Sequence, residues 1–179
     1  MTTVLPLRKL GTRIMVCGMS GAGKSTLTQA LARSINATPV FLDTLYHQPG
    51  TQWEPRAPAE FEALHAQATA GDRWVMDGNY SRLMDSRIAR ATGIIWIDPN
   101  RFGCLYRYFR RSFFDQNRHG RLEGAVDDFT WPMVRHILQV QPSSRAKLAR
   151  LFSVSGLPVV RITSMAELKQ VRKAWRLTD

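Results

Sequence analysis

The sequence predicts an α/β fold of three layers, a parallel β-sheet covered on both faces by helices. Three observations carry that expectation. Five short apolar runs, at 13–17, 39–43, 74–77, 94–98 and 157–162, have the length and composition of strands buried on both faces. Helical periodicities lie between them, and strands alternating with helices imply parallel pairing through crossover connections. A glycine-rich turn, GMSGAGKST over 18–26, joins the first run directly to the first helical pattern.

The first helix is predicted over 24–35, where Leu27, Ala30, Leu31 and Ser34 recur at three-to-four spacing. After the second strand, the stretch 48–58 carries Pro49, Gly50, Pro55 and Pro58 and reads as a loop. Further helices are expected over 59–70, 81–90, 101–114, 128–151 and 165–175, with Pro132 near the start of the fifth of the set of six and Pro142 kinking or breaking it. Three strands end in aspartate, Asp43, Asp77 and Asp98. Asp98, followed by Pro99, reads as a turn cap. Ligands of such sheets bind beyond the carboxyl ends of the strands, which gives Asp43 and Asp77 a place near any site.

With 179 residues, 44% apolar and 22% charged, the chain has the size and composition of one globular domain, 1–179. Two isolated cysteines and no zinc-ligand spacing argue against a disulfide scaffold or a metal cluster and fit a reducing, cytoplasmic setting. No run approaches the ~18 apolar residues of a membrane span, and the N-terminus lacks a signal-peptide pattern. The net charge of +11, with 20 of the 25 basic residues arginine, suits acidic partners without saying which.

Residues 18–26 satisfy G-x-x-x-x-G-K-[ST], the Walker A pattern. Composition alone would produce roughly 0.003 such matches in a chain of this make-up. The spacing has a mechanical reason. Gly18, Gly21 and Gly23, with Ser20 and Ala22 between them, let successive backbone N–H groups face phosphate oxygens, and the helix that follows presents its positive dipole end. Lys24 then reaches the β- and γ-phosphates, Ser25 faces a magnesium ion, and Thr26 completes the turn. Asp77, ending an apolar strand, is the expected acidic partner of that magnesium.

DTLYHQPGTQWEP (43–55), WVMDGNYS (74–81) and RYFRR (107–111) accompany the loop in fixed order. On these segments the chain resembles the small kinase-like phosphate-loop proteins known as DNA topology modulation proteins or adenylate-kinase-related kinases, over about 13–148. The resemblance implies a P-loop NTPase sandwich with five parallel strands in the order 2-3-1-4-5, ATP with Mg2+ as donor, and a lid, here about 107–125. Asp77-Gly78 is followed by Asn79-Tyr80 where nucleotide kinases carry Phe-Pro-Arg, and the lid region reads RLEGAVDD from Arg121. Both departures point to an acceptor other than AMP.

Phosphoryl transfer needs cations around three equatorial oxygens. Arg111, Arg118 and Arg121 are the expected lid arginines, while Arg107 reads as part of a solvated helix face. Asp43 is expected beside the acceptor hydroxyl, to orient or deprotonate it. Asp77, Asn79 and Tyr80 are expected near the acceptor, and Arg82 and Arg87 either bind an anionic acceptor or pair with Asp85 on their helix. The expected activity is an ATP- and Mg2+-dependent phosphotransferase acting on a small acceptor. A nucleic-acid-associated NTPase and a non-catalytic nucleotide-binding regulator are the competing readings, and no membrane partner is expected.

Overall fold

The computed structural model describes residues 4–114, 130–135, 137–138 and 141–178. Five strands, β1 (Arg13–Gly18), β2 (Thr38–Phe41), β3 (Trp74–Asp77), β4 (Gly93–Ile97) and β5 (Val159–Ile162), form one sheet in the order β2-β3-β1-β4-β5. Every pairing is parallel. The expected strand order is therefore observed, and it puts β1 at the centre with β3 and β4 beside it.

Side chains alternate along β1 between two cores. Ile14 and Val16 face one layer with Leu27 and Leu31 of α1 (Lys24–Ser34) and Leu168 and Val171 of α8 (Met165–Ala174). Met15 and Cys17 face the other with Phe61 of α3 (Pro58–Ala70), Met84 of α4 (Met84–Arg90) and Phe152 of α7 (Gln141–Val154). Each large side chain so buried contributes roughly 1.5–3 kcal/mol, which is why central strands carry no polar face.

Three expected elements are cut short or divided. The second strand stops at Phe41, because the chain turns into a short helix, α2 (Leu42–Tyr46), where the Thr44 hydroxyl donates to the Phe41 carbonyl at 2.8 Å. Asp43 thus lies in the first turn of a helix, not at a strand end. The pattern over 81–90 divides into a 3-10 turn, Ser81–Leu83, and α4. The pattern over 128–151 divides, among the described residues, into α6 (Trp131–Arg135) and α7, and Pro142 sits in the first turn of α7, where its missing N–H breaks no helical bond. The helix predicted over 101–114 is observed as α5 (Arg101–Phe114). No described helix is long and apolar enough to cross a membrane.

Candidate active site

The glycine-rich turn leaves the carboxyl end of β1 and enters α1. Gly18 has φ 143°, and a Cβ there would stand 2.0 Å from the Ile97 carbonyl oxygen, so no other residue fits between β1 and β4. Gly23, at φ 89° in the left-handed region, starts α1. Lys24 Nζ donates to the Met19 carbonyl at 3.1 Å and lies 4.0 Å from Asp77 Oδ1. Ser25 Oγ donates to Asp77 Oδ2 at 2.7 Å. The parallel register of β1 and β3, Val16 opposite Asp77, brings these residues together across 52 positions of sequence.

The pair fits a magnesium ion by its donor chemistry. A hydroxyl and a carboxylate are hard oxygen ligands, and Mg2+ takes only one or two from protein, filling the rest of its octahedron with water and phosphate. Among the described residues, no cluster of three or more His, Cys, Asp or Glu is placed to hold a metal.

The DGNY segment is tied to the loop. Asn79 Nδ2 donates to the Gly18 carbonyl and Asn79 Oδ1 accepts from the Gly18 N–H, both at 2.9 Å, so one side-chain amide completes both hydrogen bonds of that peptide position. Both its polar atoms are engaged in the scaffold. Arg87 is fully buried. Its guanidinium donates to the carbonyls of Gly78 and Asn79 at 2.7 Å each and of Tyr80 at 3.1 Å, gathering the turn from below. Burial pulls its pKa down, against the opposing pull of Cys17, Asp77 and Tyr80. The expected anion-binding place for Arg87 does not agree with that burial, nor does a pairing with Asp85. Arg82 pairs instead with Glu62 of α3 at 2.7 Å on the surface.

On the far side of the turn, Tyr80 OH donates to Asp43 Oδ1 at 2.7 Å. Burial, then the Asp43 carboxylate and this hydrogen bond, push the phenol well above its ordinary range, so it stays a donor. Tyr46, Phe61 and Tyr80 form a triangle of rings with centroids 5.0–5.2 Å apart. His47 stands edge-on to Tyr46 at 4.7 Å and to Trp53 at 5.2 Å, which pins the loop over 48–58 to α2. Thus Asp43 and Tyr80 meet, Lys24, Ser25 and Asp77 meet, and the two groups flank the ends of β2, β3 and β1.

Three features were not expected from sequence. Arg107 of α5 is half-buried, and its Nε donates to the Gly21 carbonyl in the loop at 2.6 Å, with Nη2 3.4 Å from Cys104 Sγ. It is a loop-contacting cation, not a solvated one. A signal existed, since Arg107 lies one helical turn from Cys104, which is buried. Asp98 is no turn cap. It is 2% exposed, and its Oδ2 accepts from Arg145 Nε at 2.8 Å and Arg161 Nη2 at 2.6 Å, while Arg161 stacks on Trp96. Thirdly, burial and the Arg87 cation push His65, behind the aromatic triangle, down to about 4. Arg111 lies in α5, and Arg118 and Arg121 lie outside the described residues, as does most of the expected lid.

No protein-family model matches the chain, and no curated protein matches it. Solved structures do. A Chloroflexus aurantiacus protein assigned as a kinase aligns with a TM-score of 0.54 at 15% identity, over 93% of this chain and 97% of that one. Shikimate kinase from Bacteroides thetaiotaomicron aligns with a TM-score of 0.53 at 16% identity, over 93% and 99%. A sugar kinase from Janibacter sp. HTCC2649 gives 0.50 at 17%, over 93% and 94%. At these identities the likeness is one of fold, that of P-loop kinases, and it spans each of those proteins almost completely.

Proposed function

We propose that the chain is an ATP- and Mg2+-dependent phosphotransferase acting on a small hydroxylated acceptor. The observation that carries this reading is the 2.7 Å contact of Ser25 with Asp77 beside Lys24, on a loop whose sequence is the phosphate-binding pattern. Ser25 and Asp77 would hold the magnesium ion, which when bound offsets charge on the β- and γ-phosphates. The backbone of 18–26, through Ser20, Ala22 and Thr26 as well as the glycines, would wrap the phosphates. Lys24 would leave the Met19 carbonyl for a γ-phosphate oxygen.

Asp43 supplies the other half. Its Oδ1 is held by Tyr80, which fixes the carboxylate and leaves Oδ2 to accept the acceptor's hydroxyl proton as that oxygen bonds to the γ-phosphorus and the bond to the β–γ bridging oxygen breaks. Asn79 keeps this turn at a fixed distance from Gly18. Arg111, Arg118 and Arg121 remain the proposed lid cations for the equatorial oxygens, and Arg107 secures the loop from α5. The resemblance to the topology modulation proteins belongs to the same reading.

The test is transfer of label from γ-labelled ATP, with Mg2+, to a panel of hydroxylated small molecules. Wild-type protein is expected to label at least one acceptor, and Lys24→Ala to lose transfer by 10³-fold or more, as expected for a phosphate-loop cation. Transfer undiminished in Lys24→Ala, or no transfer by wild-type protein to any acceptor while ATP binds, would refute the reading.

A further inference from the structure

We infer that the acceptor is a polyhydroxylated ring compound carrying no phosphate or carboxylate, of the nucleoside or sugar class, placed against Tyr46 and Tyr80 with one hydroxyl on Asp43. This rests on the phosphotransferase reading and goes beyond it to the acceptor's charge.

The argument begins with where the cations go. Between β2 and β4, residues 42–92, the chain has five arginines and no lysine. Each donates to a partner, and Arg56 alone keeps a buried Nε without one. Arg56 donates to Glu60 at 2.6 Å. Arg73 donates to the carbonyls of Ile35 and Asn36, and Arg90 to those of Thr69 and Ala70. Arg87 is consumed by three carbonyls of the DGNY turn, and Arg82 is paired with Glu62. An anionic acceptor seated beside Asp43 would need a bidentate guanidinium to offset its charge. Among the described residues of this region, no arginine bonds to Asp43, whose carboxylate accepts from Tyr80.

The local field points the same way. In a chain of net charge +11, residues 42–62 hold Asp43 and Glu54 besides Glu60 and Glu62, which Arg56 and Arg82 pair. A second negative charge near Asp43 is repelled by that region. What the site does offer is one exposed carboxylate fixed by a phenol, which matches a hydroxyl, and the half-buried rings of Tyr46 and Tyr80, centroids 5.0 Å apart, which match the flat or C–H face of a ring. Exclusion of anions then arises from the same residues that bind, because the carboxylate that accepts a hydroxyl also repels a phosphate.

The experiment compares matched pairs: nucleosides against their 5′-monophosphates, and neutral sugars against their phosphates and uronic acids. Each is assayed for transfer from γ-labelled ATP and titrated onto the complex of wild-type protein with a nonhydrolysable ATP analogue and Mg2+. The expected result is transfer to a neutral member with kcat/KM at least 100-fold above its anionic partner, the nucleoside and sugar arms identifying the source. Arg82→Ala, at an exposed position, is expected to leave KM for that acceptor within about twofold. Transfer to a phosphorylated or carboxylated member as efficient as to its neutral parent overturns the inference, and so does a tenfold rise in KM for an anionic member on Arg82→Ala. Failure of every neutral member to bind the nucleotide complex overturns it as well. Titration of ATP in the absence of acceptor is the separate readout: loss there withdraws the phosphotransferase reading itself.

Discussion

Arg87 is the position at which the energetics of the site can be read most directly. Its guanidinium is fully buried and donates to the carbonyls of Gly78, Asn79 and Tyr80. Arg87→Met keeps most of the volume and removes the charge, leaving the Asn79 carbonyl without its donor, the Tyr80 carbonyl with only the Leu83 N–H at 3.1 Å and the Gly78 carbonyl with only the Cys17 thiol at 3.7 Å. The charged hydrogen bonds and the orphaned oxygens together amount to about 3–5 kcal/mol, after allowing for the desolvation of the guanidinium that methionine avoids. In a domain of this size 1 kcal/mol moves the midpoint of thermal unfolding by about 2–4 °C, so the variant should melt about 10 °C below wild type. Arg87→Lys, with one ammonium for three separated acceptors, should recover less than half of that difference. Circular dichroism melts of the three proteins at pH 7 test the account. A methionine variant melting within about 2 °C of wild type would refute it, because the turn would then be held by something other than this side chain.

Asn79→Asp places an oxygen against the Gly18 carbonyl where Nδ2 now donates, so ATP affinity should fall about tenfold, roughly 1.4 kcal/mol, by calorimetric titration; unchanged affinity would detach the turn from the loop. His65, pushed down to about 4 by burial and then by Arg87, holds a proton more weakly folded than unfolded. Stability should therefore be complete above its ordinary value of 6.5 and fall as the pH drops toward 4, by at most about 1.4 kcal/mol per unit. His65→Gln should flatten that part of the urea-midpoint profile, and an identical slope in the variant counts against the assignment. Asp98→Asn weakens two arginine contacts at one buried oxygen; with both arginines half-exposed, a loss of about 1–3 kcal/mol in urea unfolding is expected.

The parts of the molecule legible in the sequence are those whose cause is local. The strand at 13–17, the glycine turn and the helix after it follow from neighbours within a few residues, and the sheet class follows from their alternation. Asp43 is displaced from its expected strand end because a short helix begins at Leu42, and five residues are too few to show a helical period. Asn79, Arg87, Arg107 and Asp98 are different. Their partners are backbone carbonyls or charged groups, and for Asn79, Arg107 and Asp98 these lie 47 to 86 residues away. No periodicity records such a pairing. DGNY is visible as a polar turn after a strand, yet that its asparagine completes the hydrogen bonds of Gly18 is decided only when β3 lies beside β1.

The same distinction bears on the net charge of +11, which favours a nucleic-acid partner only if the cations are on offer. Arg13, Arg73, Arg87, Arg90 and Arg107 give N–H groups to main-chain carbonyls, and Arg56, Arg82, Arg145 and Arg161 to carboxylates. These nine of the chain's 20 arginines therefore serve as scaffolding, a use their five planar donors suit better than lysine's point charge. The carbonyl-bound arginines keep their charge, so they still raise the long-range potential that draws a polyanionic nucleotide toward the loop. What they lose is the freedom to track a phosphate backbone. Counterion release counts only the cations that reach phosphates, so any binding to duplex DNA should show a shallow dependence on salt, with a slope corresponding to a few phosphates and not to the formal charge. A steep slope, approaching ten, would mean that these arginines exchange their carbonyls for phosphates on binding, and would put the competing nucleic-acid reading ahead of the phosphotransferase.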